Sequence, residues 1–353
     1  MWIDNKIFES DLIYINNASF IDWDKFQGKN FFITGGTGLI GYTLVCALLY
    51  RNLVNNSNIN ITLLVRNLDR ARDQFKGISS ECKKHLHFIE GDIASPINVD
   101  RNINYIVHAG GPTSSEFFAK HPVETIITIT DGTRNILELA KKKSVLGMVF
   151  LSTMEVYGAS TNNRKINERS ESYLDVMVPR NSYPEAKRLG ECLCTSYCEE
   201  YEVPVNVLRL TQTFGPGVKS DDNRVFAQFI RAVMDNRDII LLTEGKTKRN
   251  YLYTADAVTA ILRLLQTDNF GKAYNAANED TYCSIREMAD LVAKELGHDR
   301  INVQVSDGNI NQVKKFMPTM NMDLDSSALR HLGWHAEVGL TDMFKRTWKT
   351  MTV

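Results

Sequence analysis

The sequence lacks an excess of charge of either sign, and it lacks long apolar runs. Its 353 residues include 41 basic and 42 acidic side chains, for a formal net charge of −1. This balance gives no reason to expect nucleic acid or an anionic membrane as a partner. No apolar run approaches the roughly 20 residues of a membrane span. The first residues, MWIDNKIFESDLIY, carry acids where a signal peptide needs basic and then apolar residues, so we expect a cytoplasmic protein.

Cysteine is also sparse, with six residues scattered along the chain. Cys192, Cys194 and Cys198 fall within one predicted helix, where Cys192 and Cys194 face different sides. This spacing does not suit a common metal ion. We therefore expect reduced thiols that pack as small apolar side chains, and no metal site.

What the sequence does contain is a glycine-rich stretch, FFITGGTGLIG, at residues 31–41. A β-favouring apolar run ends at Thr34, glycines follow at a spacing of three, and an apolar segment suited to a buried helix comes next. A strand, a glycine turn and a helix in this order form an anion site, because glycine lets the backbone approach a pyrophosphate and the helix N-terminus offers free N–H groups. The pattern predicts a dinucleotide cofactor bound by Gly35, Gly38, Leu39, Ile40 and Gly41.

Strand-like and helix-like segments alternate from residue 30 to residue 210. This alternation predicts an α/β fold with a doubly wound parallel sheet of the Rossmann type over residues 29–210. Residues 1–28 are predicted to form an N-terminal capping segment, and residues 211–353 a smaller mixed α/β substrate lobe, with parts of 245–275 returning to the Rossmann domain. Ser284 is a predicted N-cap in that lobe. Buried strands are predicted at 60–65, 85–93, 103–111, 147–153 and 203–210, and long helices at 123–143 and 183–202.

The end of the second predicted strand bears on the choice of cofactor. Arg66 stands where an acidic residue would bind the ribose of NAD, and an arginine there suits the 2′-phosphate of NADP. The alternative is that Arg66 stacks on the adenine or faces solvent. NAD and NADP therefore both remain candidates. Further predicted cofactor contacts follow the second, third and fourth strands: Asn67, Arg70, Asp92, Ile93, Ala109, Gly110 and Gly111.

Candidate catalytic residues lie on a predicted helix and at the end of the fifth strand. Tyr183 and Lys187 are four residues apart and share one helix face, so the ammonium is expected to lower the pKa of the phenol from about 10 toward neutrality. Tyr183 would then exchange a proton with a substrate hydroxyl beside a nicotinamide. Thr153 is predicted to bind that hydroxyl, with Ser152 as the second candidate. Glu155 is a candidate base, or in the alternative a solvent-facing turn residue.

The motifs TGGTGLIG, STMEVYG, YPEAK, TFGPG and RNYLYTADA occur in this order over nearly the whole chain from residue 29. Together they resemble the extended short-chain dehydrogenase/reductase family, in its nucleotide-sugar epimerase/dehydratase branch. The resemblance implies a nucleotide-diphosphate sugar as substrate and a homodimer formed by helices near 123–142 and 183–202 as a four-helix bundle. It places Thr153, Tyr183 and Lys187 in the catalytic positions. It also implies substrate contacts from Gln212, from Arg224 at the start of a pocket-lining helix, and from Arg249 at the diphosphate.

Members of that branch share an opening step, in which tyrosinate takes the proton of the sugar C4 hydroxyl and hydride passes to the nicotinamide. Hexose 4,6-dehydratases resemble S-T-D-E after the fifth strand, and glucuronate decarboxylases and the GDP-mannose dehydratases resemble S-T-S-E. Simple 4-epimerases usually lack the Glu. The chain has Met154 and Glu155. Met154 cannot protonate a departing hydroxide, which counts against standard 4,6-dehydration, whereas loss of carbon dioxide needs no such acid. Glu155 in turn counts against a simple 4-epimerase. A lyase is therefore favoured, either a decarboxylase or a 4,6-dehydratase. The alternatives are a 4-epimerase, an NADPH-dependent 4-keto-sugar reductase and a non-catalytic NAD(P)-binding scaffold.

Overall fold

The computed structural model describes residues 4–158, 164–171, 173–306 and 320–351. The strands are β1 (Asn30–Thr34), β2 (Asn60–Val65), β3 (Leu86–Glu90), β4 (Tyr105–His108), β5 (Gly147–Thr153), β6 (Val205–Leu210), β7 (Gln212–Phe214), β8 (Ile239–Leu241), β9 (Lys248–Tyr253), β10 (Ala273–Ala276), β11 (Asn278–Ser284), β12 (Val303–Val305) and β13 (Asn321–Met322). The helices are α1 (Lys6–Asn17), α2 (Leu39–Asn55), α3 (Leu68–Gln74), α4 (Ser80–Lys83), α5 (Ser115–Lys120), α6 (Pro122–Lys143), α7 (Ser182–Tyr201), α8 (Val225–Met234), α9 (Thr254–Leu264), α10 (Ile285–Glu295), α11 (Ser327–Arg330) and α12 (Leu340–Met351).

The central sheet has seven strands in the order β10-β6-β5-β4-β1-β2-β3, and its neighbouring strands are all parallel. The strand order reverses beside β1, where the chain first enters the sheet. In open sheets of this kind ligands bind at the carboxyl ends of the strands near that reversal. The predicted doubly wound Rossmann fold is confirmed, and the glycine turn after β1 lies at the expected edge.

Apolar residues cover both faces of this sheet. Along β1, Phe31 and Ile33 belong to one apolar core, together with α1, α2 and α9, whereas Phe32 belongs to a second core on the side of α6 and α7. Side chains of a strand alternate between faces, so a strand buried on both faces reads as a continuous apolar run. This is the reason that the strands could be located from the sequence.

The third and fourth predicted strands extend too far at their carboxyl ends. β3 ends at Glu90 and β4 at His108, so residues 91–93 and 109–111 lie in the connections that follow the strands. A backbone turn begins directly after β3, where the Asp92 carboxylate accepts a hydrogen bond of 2.8 Å from the Ala94 N–H. Each connection makes one more hydrogen bond to the neighbouring strand, from the Gly91 N–H to the Val65 carbonyl and from the Ala109 N–H to the Thr34 carbonyl, and then forms the edge beside the glycine turn.

The chain after β6 forms smaller sheets and returns once to the central one. β9 pairs with β7, β11 and β13, and β8 pairs with β12, while β10 completes the parallel sheet beside β6. Ser284 caps α10 in a capping box with Glu287, which confirms the predicted N-cap. Within the described ranges, no helix is both long enough and apolar enough to cross a membrane.

The N-terminal helix α1 is fixed to the C-terminal part of the chain by a buried carboxylate. Asp11 accepts a hydrogen bond of 2.6 Å from the Tyr253 hydroxyl and another of 2.6 Å from Arg346 Nη1. Burial raises the pKa of Asp11 to about 6. Residues of α1 such as Phe8 and Leu12 pack into the first core, so this segment is part of the folded unit.

Candidate active site

The glycine turn after β1 is shaped by contacts that leave no room for side chains. A Cβ at Gly35 would lie 2.5 Å from the Ala109 oxygen, and one at Gly41 would lie 2.2 Å from the Gly35 oxygen. Gly35 also has a φ of +70°, which L-residues rarely adopt. Gly38 differs, because its Cβ would meet only the Gly35 oxygen at 3.2 Å while its backbone starts α2. The turn therefore fits a pyrophosphate that approaches the N-terminus of α2, where Leu39 and Ile40 form the first turn.

The residues predicted to select the cofactor lie exposed at the carboxyl end of β2. Arg66, Asn67 and Arg70 all face solvent. The Asn67 side chain is engaged as the N-cap of α3, since its carbonyl oxygen accepts a 2.8 Å hydrogen bond from the Arg70 N–H. Arg66 and Arg70 are thus the two side chains of this group whose cations face open space at this edge.

The connections after β3 and β4 border the same edge. Asp92 is exposed, and Ile93 is half-buried against Gly132, where a Cβ would lie 2.9 Å from its Cδ1. The Gly110 N–H donates to Thr34 Oγ1 at 2.9 Å, which ties the end of β4 to the end of β1. The structure therefore brings Asp92, Ile93, Ala109, Gly110 and Gly111 to the edge that carries the glycine turn.

The predicted catalytic residues come together between β5 and α7. Thr153 is the last residue of β5, and its hydroxyl is hydrogen-bonded to the buried phenol of Tyr183. Phe118 stacks on the Tyr183 ring with centroids 4.1 Å apart and planes 5° from parallel. Lys187 lies one turn further along α7 and donates a 2.7 Å hydrogen bond from Nζ to the Leu151 carbonyl. The helical spacing thus placed Tyr183 and Lys187 on the face that covers the end of β5.

The expected pKa of Tyr183 is wrong for this structure. Burial raises the pKa of the phenol above its usual value, and the nearby carboxylate of Glu155 raises it further. Lys187 does not offset this effect, because its ammonium is bound to a backbone carbonyl and is itself buried, which lowers its own pKa to about 8. Helix periodicity predicted that Tyr183 and Lys187 share a face of α7, but it could not predict the burial that raises the pKa of Tyr183.

Arg180 joins this group, although the sequence reasoning did not select it. It lies in the 3-10 turn Pro179–Asn181 before α7, and its Nη2 donates a 3.1 Å hydrogen bond to the carboxylate of Glu155. Its guanidinium carbon lies 5.3 Å from the Phe118 ring centre. The available signal was its position three residues before Tyr183, which puts both residues on one side of a helical turn. Phe118 was also missed, and no local pattern marks it.

Ser152 and Met154 are bound to partners outside the candidate catalytic group. The Ser152 hydroxyl donates a 2.5 Å hydrogen bond to Glu191, whose carboxylate is paired with Arg209 at 2.6 Å. Met154 is buried in an apolar cluster, and its sulfur accepts a hydrogen bond from Thr211 at 3.4 Å. Ser152 is bound instead to Glu191, which lies about two helical turns beyond Tyr183 on α7, and no described hydrogen bond joins Ser152 to Tyr183.

The predicted substrate residues occupy three different settings. Arg249 is half-buried on β9 and forms no ion pair within the described part of the chain, so its charge is available to a phosphate. Gln212 is half-buried on the neighbouring strand β7 and pairs in register with Tyr251. Arg224 precedes α8, but its guanidinium is held by the Asp222 carboxylate at 2.5 to 3.0 Å.

A family-level comparison matches residues 31–277 to the "NAD dependent epimerase/dehydratase family". UDP-glucuronic acid decarboxylase 6 of Arabidopsis thaliana is 29% identical over 318 residues, covering 88% of this chain and 85% of that protein. Among solved structures, a UDP-N-acetylglucosamine 4-epimerase from Methanobrevibacter ruminantium in complex with UDP-N-acetylmuramic acid superimposes with a TM-score of 0.76 at 20% identity, over 92% of this chain and 98% of that one.

A further structure is that of UDP-glucuronic acid 4-epimerase from Bacillus cereus in complex with UDP-glucuronic acid and NAD. It gives a TM-score of 0.73 at 20% identity, over 92% of this chain and 99% of that one. At such identities the two solved structures establish the shared fold alone. The family match spans the glycine turn, the candidate catalytic residues and β9, which confirms the resemblance inferred from the motifs. The chain belongs to the NAD dependent epimerase/dehydratase family.

Proposed function

We propose that the protein is a nucleotide-sugar lyase that oxidises a UDP-linked uronic acid at C4 and releases its carboxyl group as carbon dioxide. The observation that carries this proposal is the group at the end of β5. It joins Thr153, Tyr183 and Glu155 and offers no proton donor at position 154, where Met154 packs into the core. The similarity to a UDP-glucuronic acid decarboxylase supports the same choice among family reactions.

In this reaction the residues of the chain bind the substrate and move one proton. Thr153 and Tyr183 hold the C4 hydroxyl, and the Tyr183 oxygen takes its proton. Lys187 anchors the helix face that carries the tyrosine through its bond to Leu151. The glycine turn holds the cofactor, and NAD, when bound, supplies the hydride acceptor for C4. Departure of carbon dioxide from the 4-keto sugar needs no acid at position 154, because the 4-carbonyl accepts the electron pair. Uptake of a proton from water at C5, return of the hydride to C4 and return of the proton from Tyr183 to the C4 oxygen would then complete a reaction without net use of cofactor.

The test is incubation of the purified protein with a panel of UDP-, dTDP-, GDP- and CDP-linked sugars that includes UDP-glucuronate, followed by product masses. We expect UDP-glucuronate to lose the mass of carbon dioxide without net consumption of cofactor. Loss of water would instead identify a dehydratase, an unchanged mass with a new sugar configuration a 4-epimerase, and stoichiometric use of NADPH a reductase. Tyr183→Phe should abolish turnover and still bind cofactor, and retained activity would refute the assigned role.

The proposed substrate contacts can be separated by their charges. Arg249 carries the diphosphate in this proposal, since its cation is half-buried and not paired with a described carboxylate. Arg224 contributes less, because Asp222 already holds its guanidinium. Arg249→Gln should therefore raise the KM for the sugar nucleotide more than Arg224→Gln does, with kcat affected less than KM.

We also propose that the protein forms a homodimer through α6 and α7. Val123, Ile126 and Ile127 lie on one face of α6, and their exposed fractions are 67%, 41% and 48%. Leu189 on α7 adds a further apolar side chain, 49% exposed. Apolar side chains clustered on adjacent helices indicate a protein interface. Ile127→Asp should shift the mass in solution from dimer to monomer, whereas the control Leu242→Asp, at a similarly exposed position outside these helices, should not.

A further inference from the structure

The catalytic group contains two acids that oppose each other. For the proposed reaction Tyr183 must become a phenolate. The carboxylate of Glu155 is bound by Arg180, whose guanidinium lies 5.3 Å from the Phe118 ring that stacks on this phenol, and its negative charge raises the pKa of Tyr183. Two like charges in a partly buried site disfavour each other strongly. With Thr153, Tyr183, Lys187 and Glu155 alone, the repulsion between the Glu155 carboxylate and the Tyr183 phenolate would therefore not be compensated.

Arg180 is placed to correct this imbalance. Its Nη2 lies 3.1 Å from the Glu155 carboxylate, and the two side chains are only 25% and 30% exposed, so water screens the pair incompletely. Its charge also acts directly on Tyr183, where it favours the phenolate. The other cation near the phenol in sequence, Lys187, is buried and bound to the Leu151 carbonyl.

The contacts of Arg180 show that its polar interactions are directed to this group. Glu155 is its hydrogen-bond partner, while its Nη1 is buried without a partner in the described part of the chain. Its guanidinium also packs near Phe118, the ring that stacks on Tyr183. An arginine that merely stabilised a turn would instead satisfy backbone carbonyls.

We propose, on the basis of the function proposed above, that Arg180 is a positioning residue. Its guanidinium anchors and neutralises the Glu155 carboxylate, so that the Tyr183 oxygen can lose its proton in the same pocket. Arg180 itself does not transfer a proton. Its action on the reaction passes through Glu155 and Tyr183.

The test follows the first oxidation step alone. Holoenzyme is mixed with UDP-glucuronate, UDP-glucose or dTDP-glucose in a single turnover, and the near-ultraviolet absorbance of the reduced cofactor is recorded across pH. The acid limb of this profile reports the proton that Tyr183 must lose. Arg180→Met should move the limb up by about one pH unit, equivalent to a rate about tenfold lower near neutrality. Arg180→Lys, which keeps the charge, should leave the limb close to that of the unaltered protein.

The decisive variant is the double substitution Arg180→Met with Glu155→Gln. Removing both charges should return the acid limb toward its original position, while Glu155→Gln alone should move it down. Arg188→Met is the matched control, because Arg188 pairs with Glu185 on α7 and does not contact the catalytic group. Thermal unfolding of each variant separates loss of fold from loss of function.

An unchanged acid limb in Arg180→Met, or a double variant no better than Arg180→Met, would overturn the proposal. A variant that is slower at every pH with the same limb would mean a structural role only and would also overturn it. If Arg180→Met does not fold, Arg180→Gln takes its place, because glutamine keeps a polar side chain and removes the charge, and the same upward shift of the limb is expected. Cofactor reduction without release of carbon dioxide would refute the decarboxylase and leave this test intact, and no reduction with any of the three sugars would overturn both.

Discussion

Protonation of the buried His108 should destabilise the protein by up to about 5 kcal/mol. His108 is 1% exposed on β4, and burial lowers its pKa from 6.5 to about 3, with a further contribution from the charge of Lys187. Its Nδ1 lies 2.8 Å from Thr34 Oγ1, and its Nε2 lies 3.4 Å from Thr133 Oγ1. The imidazole therefore links β1, β4 and α6 beneath the glycine turn.

The hydrogen bonds around His108 assign its tautomer. Thr34 Oγ1 accepts from the Gly110 N–H, so its own hydrogen is donated to Nδ1. Thr133 donates to the Ile129 carbonyl, so its oxygen accepts from Nε2–H. A neutral ring with its hydrogen on Nε2 gives each of these hydrogen bonds one donor and one acceptor. A second ring proton on Nδ1 would point at the hydrogen that Thr34 donates.

The magnitude follows from the difference between folded and unfolded pKa values. Because the folded pKa is the lower one, the stabilisation is complete above 6.5 and is lost as pH falls toward about 3. Each unit corresponds to about 1.4 kcal/mol, so the whole shift amounts to about 5 kcal/mol, of which about 3 kcal/mol should be lost between about pH 7 and about pH 4.5. The buried Asp11 and Asp256, with pKa values raised to about 6, have the opposite sign over this range.

The assay is denaturant unfolding of the protein and of His108→Gln at several pH values. A glutamine amide can replace both hydrogen bonds and does not titrate, so the variant isolates this one group from the two aspartates. We expect His108→Gln to lose less unfolding free energy on acidification than the unaltered protein, by about 3 kcal/mol. His121→Gln is the control, since His121 is 53% exposed in its side chain. Equal slopes for the protein and His108→Gln would refute the reasoning.

Three further predictions concern the cofactor site and the cap of α10. Gly41→Ala should destabilise the fold by about 1–3 kcal/mol, because its Cβ would meet the Gly35 oxygen at 2.2 Å. Gly38→Ala should fold nearly normally but bind NAD at least about tenfold more weakly. Thermal unfolding measures the first effect and cofactor titration measures the second. Arg66→Gln should weaken binding of NADP about tenfold and leave NAD within about twofold, and equal losses in the two titrations would mean that Arg66 does not read the 2′-phosphate. Ser284→Ala should cost about 1 kcal/mol of unfolding free energy by removing the cap of α10, as measured in denaturant, and an unchanged midpoint would contradict the role of the capping box.

Local sequence patterns predicted much of the candidate site. The glycine turn, the apolar strands and the Tyr183–Lys187 face could be predicted, because each depends on residues within a few positions of one another. The predicted strands β3 and β4 extended past the residues where they end in the structure. For β3 the reason is the turn at Asp92, which competes locally with the strand. Arg66 was located correctly at the end of β2, but its contact with a 2′-phosphate stays a prediction.

What the sequence determined by itself is the family, the parallel sheet and the position of the glycine turn at its carboxyl edge, because strand and helix periodicity and strand chirality are local properties. Only the tertiary structure decided what surrounds the candidate catalytic residues. Burial, and the approach of segments distant in the sequence, raised the pKa of Tyr183, joined Glu155 to Arg180, bound Ser152 to Glu191 and packed Met154 into an apolar cluster. These properties depend on packing in three dimensions, which no spacing along the chain encodes.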